Sequence, residues 1–353
     1  MKFLRLAFYV LVAQLVLSGC AGEAVEETSS SSSSEINFDA YLGRNASTRS
    51  SVTNITSLKG SGFGVFARYK HTDGTISSLM DNEHVTWKEK ENRWGYTNTR
   101  YWPNEGSVDF YAFAPHSGIV KLENKPGSNE ANPTCIYFPS NMSPVDLVWA
   151  NVKGRTKTNE PVKFTFNHAL ARLGFDIIAN QDLEKNGAVI KVKEVRLYGA
   201  SEISGIFIMA GYLNLEDGDW TPFNNGTSWF YTWTSDSKKD DKNDGTVLKL
   251  SAPSQLDHTH KKITNDDNSY IFIIPQPKPE NFNLKIIYTV KQGDLEEEVT
   301  VKKNLLEVLD PSETSNKSFT FERGKAYVFH LILSLDDPID FKVTPTVNEW
   351  GKG

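Results

Sequence analysis

The most specific chemistry in this sequence lies near its start, at Leu17-Ser18-Gly19-Cys20. A cysteine behind small residues and a leucine looks like a bacterial lipobox, in which the thiol sulfur is acylated and the cysteine becomes the mature N-terminus. The apolar run from Leu4 to Leu17 follows Lys2 and Arg5, as in a secretory signal. It is too short to remain as a membrane-spanning helix. Residues 1–19 are therefore expected to be removed, leaving Cys20 as the lipid site. Each buried methylene adds roughly 0.8 kcal/mol and stable anchoring takes more than one chain, which a fully acylated Cys20 supplies. Cys20 would then tether the folded body outside the cytoplasm.

The remaining reactive side chains form weaker patterns. His258-Thr259-His260 places two imidazoles at strand spacing, with only Asp257 or Asp266 near as a third ligand, whereas zinc takes three or four. Asp240-Asp241-Lys242-Asn243-Asp244-Gly245 misses the calcium-loop pattern and lacks the glutamate at the twelfth position. No metal and no cofactor are expected. His168 sits beside Ala169 in a strand-like run and reads as a satisfied, half-buried histidine. No G-x-S-x-G is present, and the carboxylates are scattered, so no catalytic site is expected. Trp229, Phe230, Tyr231 and Trp233 could stack on sugars, which leaves a monomeric surface carbohydrate-binding lipoprotein as the alternative reading; a core strand is the plainer account.

The elements that would position these residues are strands. The chain has 353 residues, a formal net charge of −6 and aromatic residues at 12%, with Val, Ile, Thr, Tyr and Phe in short runs. No basic stripe is present to neutralise phosphates, which argues against nucleic acid as a partner. Cys135 is the second of two cysteines, so with Cys20 acylated no intrachain disulfide forms and burial must hold the fold. Residues 20–35, with Glu23, Glu26, Glu27 and a serine run, read as a flexible tether. Ile36, Phe38 and Ala40 then alternate with polar residues, as in a half-buried strand. A polar stretch from Gly43 to Thr56 holds Arg44 and Arg49. Strand-like segments punctuated by turn formers follow, and Ser78 to His84 could form a turn or two of helix. A polar boundary at 151–161 separates an N-terminal domain, 36–160, from a C-terminal domain, 161–353. Val162 to Ile178 reads as one long strand, and Gln292-Gly293-Asp294 as a hairpin turn with Gly293 free to take positive φ.

Several local patterns add up. They are Phe63-Gly64-Val65-Phe66-Ala67, Tyr101-Trp102-Pro103, Phe110-Tyr111-Ala112-Phe113-Ala114-Pro115, Asp146-Leu147-Val148-Trp149-Ala150, Phe166-Asn167-His168-Ala169-Leu170-Ala171-Arg172-Leu173, Tyr270-Ile271-Phe272-Ile273-Ile274-Pro275-Gln276 and Val347-Asn348-Glu349-Trp350. Their order behind a lipobox resembles the fimbrillin family of Bacteroidales, the subunits of type V pili. The resemblance implies an all-β fold of two tandem antiparallel β-sandwich domains of transthyretin-like topology. It implies a fimbrial subunit that serves cell adhesion. With Phe341, Val343 and Val347 apolar and little sequence after Trp350, the tail reads as the last strand of its own sandwich, which leans toward a tip or accessory subunit. Its partners would be other fimbrillin subunits joined by β-strand addition, an arginine-specific protease, the outer membrane through Cys20, and a glycan or protein on another surface. The cut would follow Arg49, in Thr48-Arg49, or else Arg44. The displaced strand would be centred on Ile36 and Phe38, and a strand from another subunit would fill its groove. The acidic residues behind Cys20 resemble a surface-export mark of Bacteroidetes lipoproteins, and read equally as a solvated linker.

Overall fold

The computed structural model describes residues 34–42, 55–117, 122–123, 135–138, 145–179, 187–202, 204–208, 210–223, 231–234, 248–249, 261–262, 271–309, 320–334 and 342–349. In chain order the first strands are β1 (Phe38–Leu42), β2 (Phe63–Lys70), β3 (Ile76–Lys88), β4 (Arg93–Gly95), β5 (Ser107–Ala114), β6 (Leu122–Glu123), β7 (Cys135–Phe138), β8 (Val148–Arg155) and β9 (Val162–His168). Helix α1 (Ile55–Ser61) lies between β1 and β2. There follow β10 (Ala171–Ala179), β11 (Ala188–Tyr198), β12 (Ala210–Asn214), β13 (Trp220–Phe223), β14 (Tyr231–Thr234), β15 (Leu248–Lys249) and β16 (Lys261–Lys262). The last are β17 (Ile271–Ile273), β18 (Gln276–Pro277), β19 (Asn283–Gln292), β20 (Leu295–Asn304), helix α2 (Leu306–Leu309), β21 (Thr320–Phe321), β22 (Lys325–Leu333) and β23 (Lys342–Glu349).

The chain is all-β, as its composition implies. Its first sheet has seven strands in the order β1-β9-β8-β5-β2-β3-β4. Both faces of this sheet are covered, which explains why β2 and β5 read as near-continuous apolar runs rather than alternating ones. Phe63, Val65 and Ala67 of β2 join Val108, Phe110 and Ala112 of β5 in one core, closed by Leu58 of α1, Trp94 and Trp102. Phe66, Tyr111, Phe113 and Trp149 point the other way, into a second core.

That second core joins the two halves of the sequence. Its far wall is a four-stranded sheet, β13-β12-β7-β6, in which β12 pairs with β7. The tip of the β12–β13 hairpin is bonded to the outer face of the first sheet. Asn151 donates to the carbonyls of Leu215 and Glu216 at 2.6 and 2.8 Å, and the Tyr111 hydroxyl donates to Glu216 at 3.1 Å. Gly218, at φ +76°, lies against the Trp149 indole, where a Cβ would fall inside the ring.

The third core is a sandwich. One layer is β16-β10-β22-β23, with β17 also on β10; the other is β15-β14-β11-β19-β20. Leu173, Phe175, Phe329 and Leu331 meet Val192, Leu197, Leu284 and Tyr288 between the layers. The β19–β20 hairpin turns at Gly293 and Asp294, with Gly293 at φ +60°, as its sequence implies.

Three expectations change. The pairing is not wholly antiparallel: β1 runs parallel to β9, β10 to β22 and β14 to β15. The run from Val162 to Ile178 is two strands, because the chain leaves the first sheet at Ala169 and Leu170. There the Ala169 amide donates to the Leu147 carbonyl at 2.8 Å, and the Trp220 indole donates to the Ala169 carbonyl at 2.6 Å. β9, which begins after residue 160, is thus a strand of the first sheet, with Phe164 and Phe166 in its core. Residues 78–84 are extended within β3, and the helix is instead α1, in sequence that shows little apolar periodicity and buries only Leu58.

Candidate functional site

The segment from Ser34 to Leu42 is held from two sides. At its start it runs antiparallel to residues 100–102: the Ile36 amide donates to the Arg100 carbonyl at 2.9 Å, and the Trp102 amide to the Ser34 carbonyl at 3.0 Å. It then crosses to β9 and pairs in parallel, from Phe38 opposite Val162 to Leu42 opposite Phe166. The alternation in the sequence becomes an alternation in burial. Ile36, Phe38 and Ala40 are 0, 5 and 3% exposed, while Asn37 and Asp39 are half-buried.

Phe38 is the centre of this hold. Its ring stacks on Phe164 at 5.7 Å and an interplanar angle of 19°, and meets the edges of Phe63 and Phe110 at 6.4 and 5.9 Å. Tyr96 forms the remaining wall at 5.5 Å. Burial of a side chain of this size contributes about 1.5–3 kcal/mol, before the contacts between aromatic rings.

Tyr96 also reaches the backbone. Its hydroxyl donates to the Ile36 carbonyl at 2.8 Å and accepts from the Arg100 amide at 3.1 Å, so one side chain ties both strands at the start of the segment. Burial pushes its phenol up to about 12. On the outer side, Asp39 accepts from the Ala40 amide at 2.9 Å and from the Tyr41 hydroxyl. Asn37 and Asp39 line a cleft that Trp87, Arg93, Trp94 and Pro161 complete.

β9 depends on β1 in turn. It pairs with β8 only at Val148–His168 and Trp149–Asn167, so over Val162 to Phe166 its ladder partner is β1. Loss of β1 would leave an unpaired β9 edge over an aromatic socket. Such a groove takes up another strand of the right spacing.

Of the residues singled out in the sequence, the structure therefore places Ile36 and Phe38 together in one core. Cys20, Arg44 and Arg49 lie outside the described residues, as do His258, His260, the Asp240–Gly245 loop, Trp229 and Phe230. His168 is half-buried, with Nδ1 3.0 Å from the buried Asp146 carboxylate, and the pair fastens the end of β9 to the segment before β8. A second such pair, His330 with Asp176 at 2.8 Å, bridges β22 and β10. Among the described residues no three His, Cys, Asp or Glu side chains gather as a metal site, and no helix is long and apolar enough to cross a membrane. Sequence reasoning missed Tyr96 and Phe164. Tyr96 follows a three-residue strand and carries no periodic signal; Phe164 alternates with polar neighbours and could be known only as a core residue.

A family model described as fimbrillin-like matches residues 48–350. The match begins after β1. No curated protein matches the chain. Among solved structures, a candidate cell adhesion protein from Bacteroides uniformis is 17% identical over 90% of this chain and 99% of its own, with a TM-score of 0.47. Another from Bacteroides ovatus is 14% identical over 90% of this chain and 98% of its own, at 0.44. A fimbrial assembly protein from Parabacteroides distasonis is 12% identical over 89% of this chain and 99% of its own, at 0.32.

Proposed function

The chain belongs to the fimbrillin-like family, and from that premise we propose that it is a cell-surface fimbrial subunit in which β1 is a temporary strand. The protein is exported with a lipid on Cys20. An arginine-specific protease cuts after Arg49, or after Arg44, in the stretch between β1 and α1. β1 then leaves, and a strand from another subunit takes its place along β9 for assembly in adhesion. The work is mechanical and needs no catalytic group. The observation that carries this reading is the construction of β1 itself. It is an edge strand that fills an aromatic socket, and it is the ladder partner of β9 over Val162 to Phe166.

Digestion of the tagged precursor with an arginine-specific protease tests this, followed by N-terminal sequencing and size-exclusion chromatography. The expected result is one cut after Arg49 or Arg44, then loss of the 34–42 segment and association of the resistant body. Random cutting, or a cut body that keeps its segment and stays monomeric with subunits in excess, overturns the proposal. Lipidation is tested separately, by labelled palmitate incorporation that Cys20→Ala abolishes.

A further inference from the structure

The groove under β1 is a selective one, and its selectivity is legible in how β1 fills it. Three buried positions lie along it at two-residue spacing. Ile36, 0% exposed, sits where the backbone is bonded to Arg100. Phe38 sits in the socket of Phe63, Tyr96, Phe110 and Phe164. Ala40, 3% exposed, lies in register with Phe164, and its own amide is closed by Asp39. The three positions differ in kind: an aliphatic site, an aromatic site and a site for a small residue. A strand running parallel to β9 brings them in that order from N- to C-terminus. A strand slipped by a single residue turns its apolar face to solvent, and a reversed one brings the small residue to the aliphatic site and the aliphatic residue to the small site.

We infer that the groove admits a strand by a short code, aliphatic-x-aromatic-x-small, read parallel to β9, and that Tyr96 sets the register by holding the carbonyl two residues before the aromatic. The inference rests on β1 being exchangeable. The partner is thus an extended segment of that chemistry. Two features of Tyr96 separate its role from that of a wall residue. Its ring contacts the aromatic at 5.5 Å, but its hydroxyl reads only backbone, at the Ile36 carbonyl. It therefore favours one register whatever side chain enters, while Phe164 and Phe110 select the side chain. The same spacing recurs in this chain, at Val108-Asp109-Phe110-Tyr111-Ala112 within β5 and at Ile339-Asp340-Phe341-Lys342-Val343, where the last position carries two more carbons than Ala40.

The test uses the full chain with a specific protease site placed between residues 43 and 54, cut but otherwise intact. A fluorescent peptide of residues 34–42 is added in excess, and its entry is followed by anisotropy. If that peptide never enters, β1 is not exchangeable and the proposed function fails. If it enters, the code is tested by its variants on the same body. The Phe38→Val peptide should bind about thirtyfold more weakly, because a large core side chain is truncated. The Ala40→Phe peptide should not bind, and the reversed sequence should not bind. A peptide of residues 337–345, which has the aliphatic and aromatic positions but Val343 at the small site, should bind more weakly than 34–42, and Val343→Ala in it should tighten binding by relieving the overfilled small site. In the body, Tyr96→Phe should weaken the 34–42 peptide and its Phe38→Val variant by the same factor, about fivefold to tenfold for one lost hydrogen bond. Equal binding of the Phe and Val peptides, exclusion of the 337–345 peptide carrying Val343→Ala, or a Tyr96→Phe change that alters the Phe-to-Val ratio overturns the inference. All peptide comparisons use the unmutated body, so they stand even where a body variant fails to fold.

Discussion

β1 and β20 both lie at the edge of a sheet, and they are built in opposite ways. β1 is short and buries Phe38 and Ala40, with Phe38 deep among other rings. β20 has ten residues, and its first four, Leu295 to Glu298, are exposed. Three glutamates in succession, and then Lys302 and Lys303, cover it in charge. Lys193 pairs with Glu298 at 2.6 Å and Lys302 with Glu202 at 3.0 Å. Charge along an edge discourages another strand from adding there. β20 is an edge protected in place. β1 is an edge whose removal would open an aromatic-lined groove in the first sheet. On the proposed reading, the difference favours strand addition at the β1 groove over the β20 edge.

The comparison breaks first at Phe38. Phe38→Ala in the intact chain should cost about 3–5 kcal/mol, since the surrounding rings can collapse only partly. On β20, Glu297→Ala should change stability by less than about 0.5 kcal/mol. Urea unfolding of the two variants measures both. Equal effects would mean that β1 is not specifically seated.

Tyr96 gives a smaller and more selective effect. Tyr96→Phe keeps the ring against Phe38 and removes the hydroxyl, so the expected loss is about 1 kcal/mol. It also carries a signature in pH. The phenol is raised from 10 to about 12 in the folded chain, so folding favours its neutral form. That contribution is complete below pH 10 and disappears as pH rises from 10 toward 12. Alkali should therefore loosen residues 34–42 in the wild-type protein, and Tyr96→Phe should remove that part of the alkaline slope. Hydrogen exchange in 34–42 against pH reads this directly; an identical slope in both proteins would take Tyr96 out of the hold.

The contrast between the two edges was only partly visible in the sequence. The alternation Ile36-x-Phe38-x-Ala40 marks a half-buried strand by itself, because one face meets solvent and the period of two survives. The charge of β20 is likewise plain. Hidden was the partner of β1: parallel pairing with β9 joins residues more than a hundred positions apart, and no local pattern encodes it. The same blindness merged β9 with β10, because two consecutive apolar strands in different sheets look like one long strand until Ala169 and Leu170 are seen to turn. Helix α1 carries little signal in the sequence because it anchors through Leu58 alone and ends at Gly62, which takes φ +69° where no Cβ fits between Val85 and His84. Cys20 rests on its motif and Arg49 and Arg44 on the family resemblance, and all three lie outside the described residues.

Removing the protection of β20 sharpens the comparison from the other side. Replacing Glu296, Glu297 and Glu298 together by threonine keeps strand propensity and deletes the charge. Stability should shift by no more than about 1 kcal/mol, while the intact, uncut protein should begin to self-associate with concentration. Size-exclusion chromatography across a concentration series would show it. A variant that stays monomeric would mean that shape, not charge, closes this edge.

The smallest expected effect lies in the ties of β20 to its neighbours. Glu202 accepts from Lys285 and Lys302, which hold its carboxyl down from 4.5 to about 2. A depressed carboxylate contributes stability that is complete above about pH 4.5 and is lost as pH falls toward 2. Glu202 is partly open to solvent, which screens the pair, so Glu202→Gln should cost at most about 0.5 kcal/mol at neutral pH. Its value is in the direction. Acid should loosen β20 and the 199–205 segment that Glu202 pins, and leave residues 34–42 protected, whereas alkali should do the reverse through Tyr96. Hydrogen exchange at pH 3 and at pH 11, in wild type, Glu202→Gln and Tyr96→Phe, separates the two edges. If both edges loosen together at either extreme, they belong to one cooperative unit, and β1 could not be released while the rest of the chain stays folded.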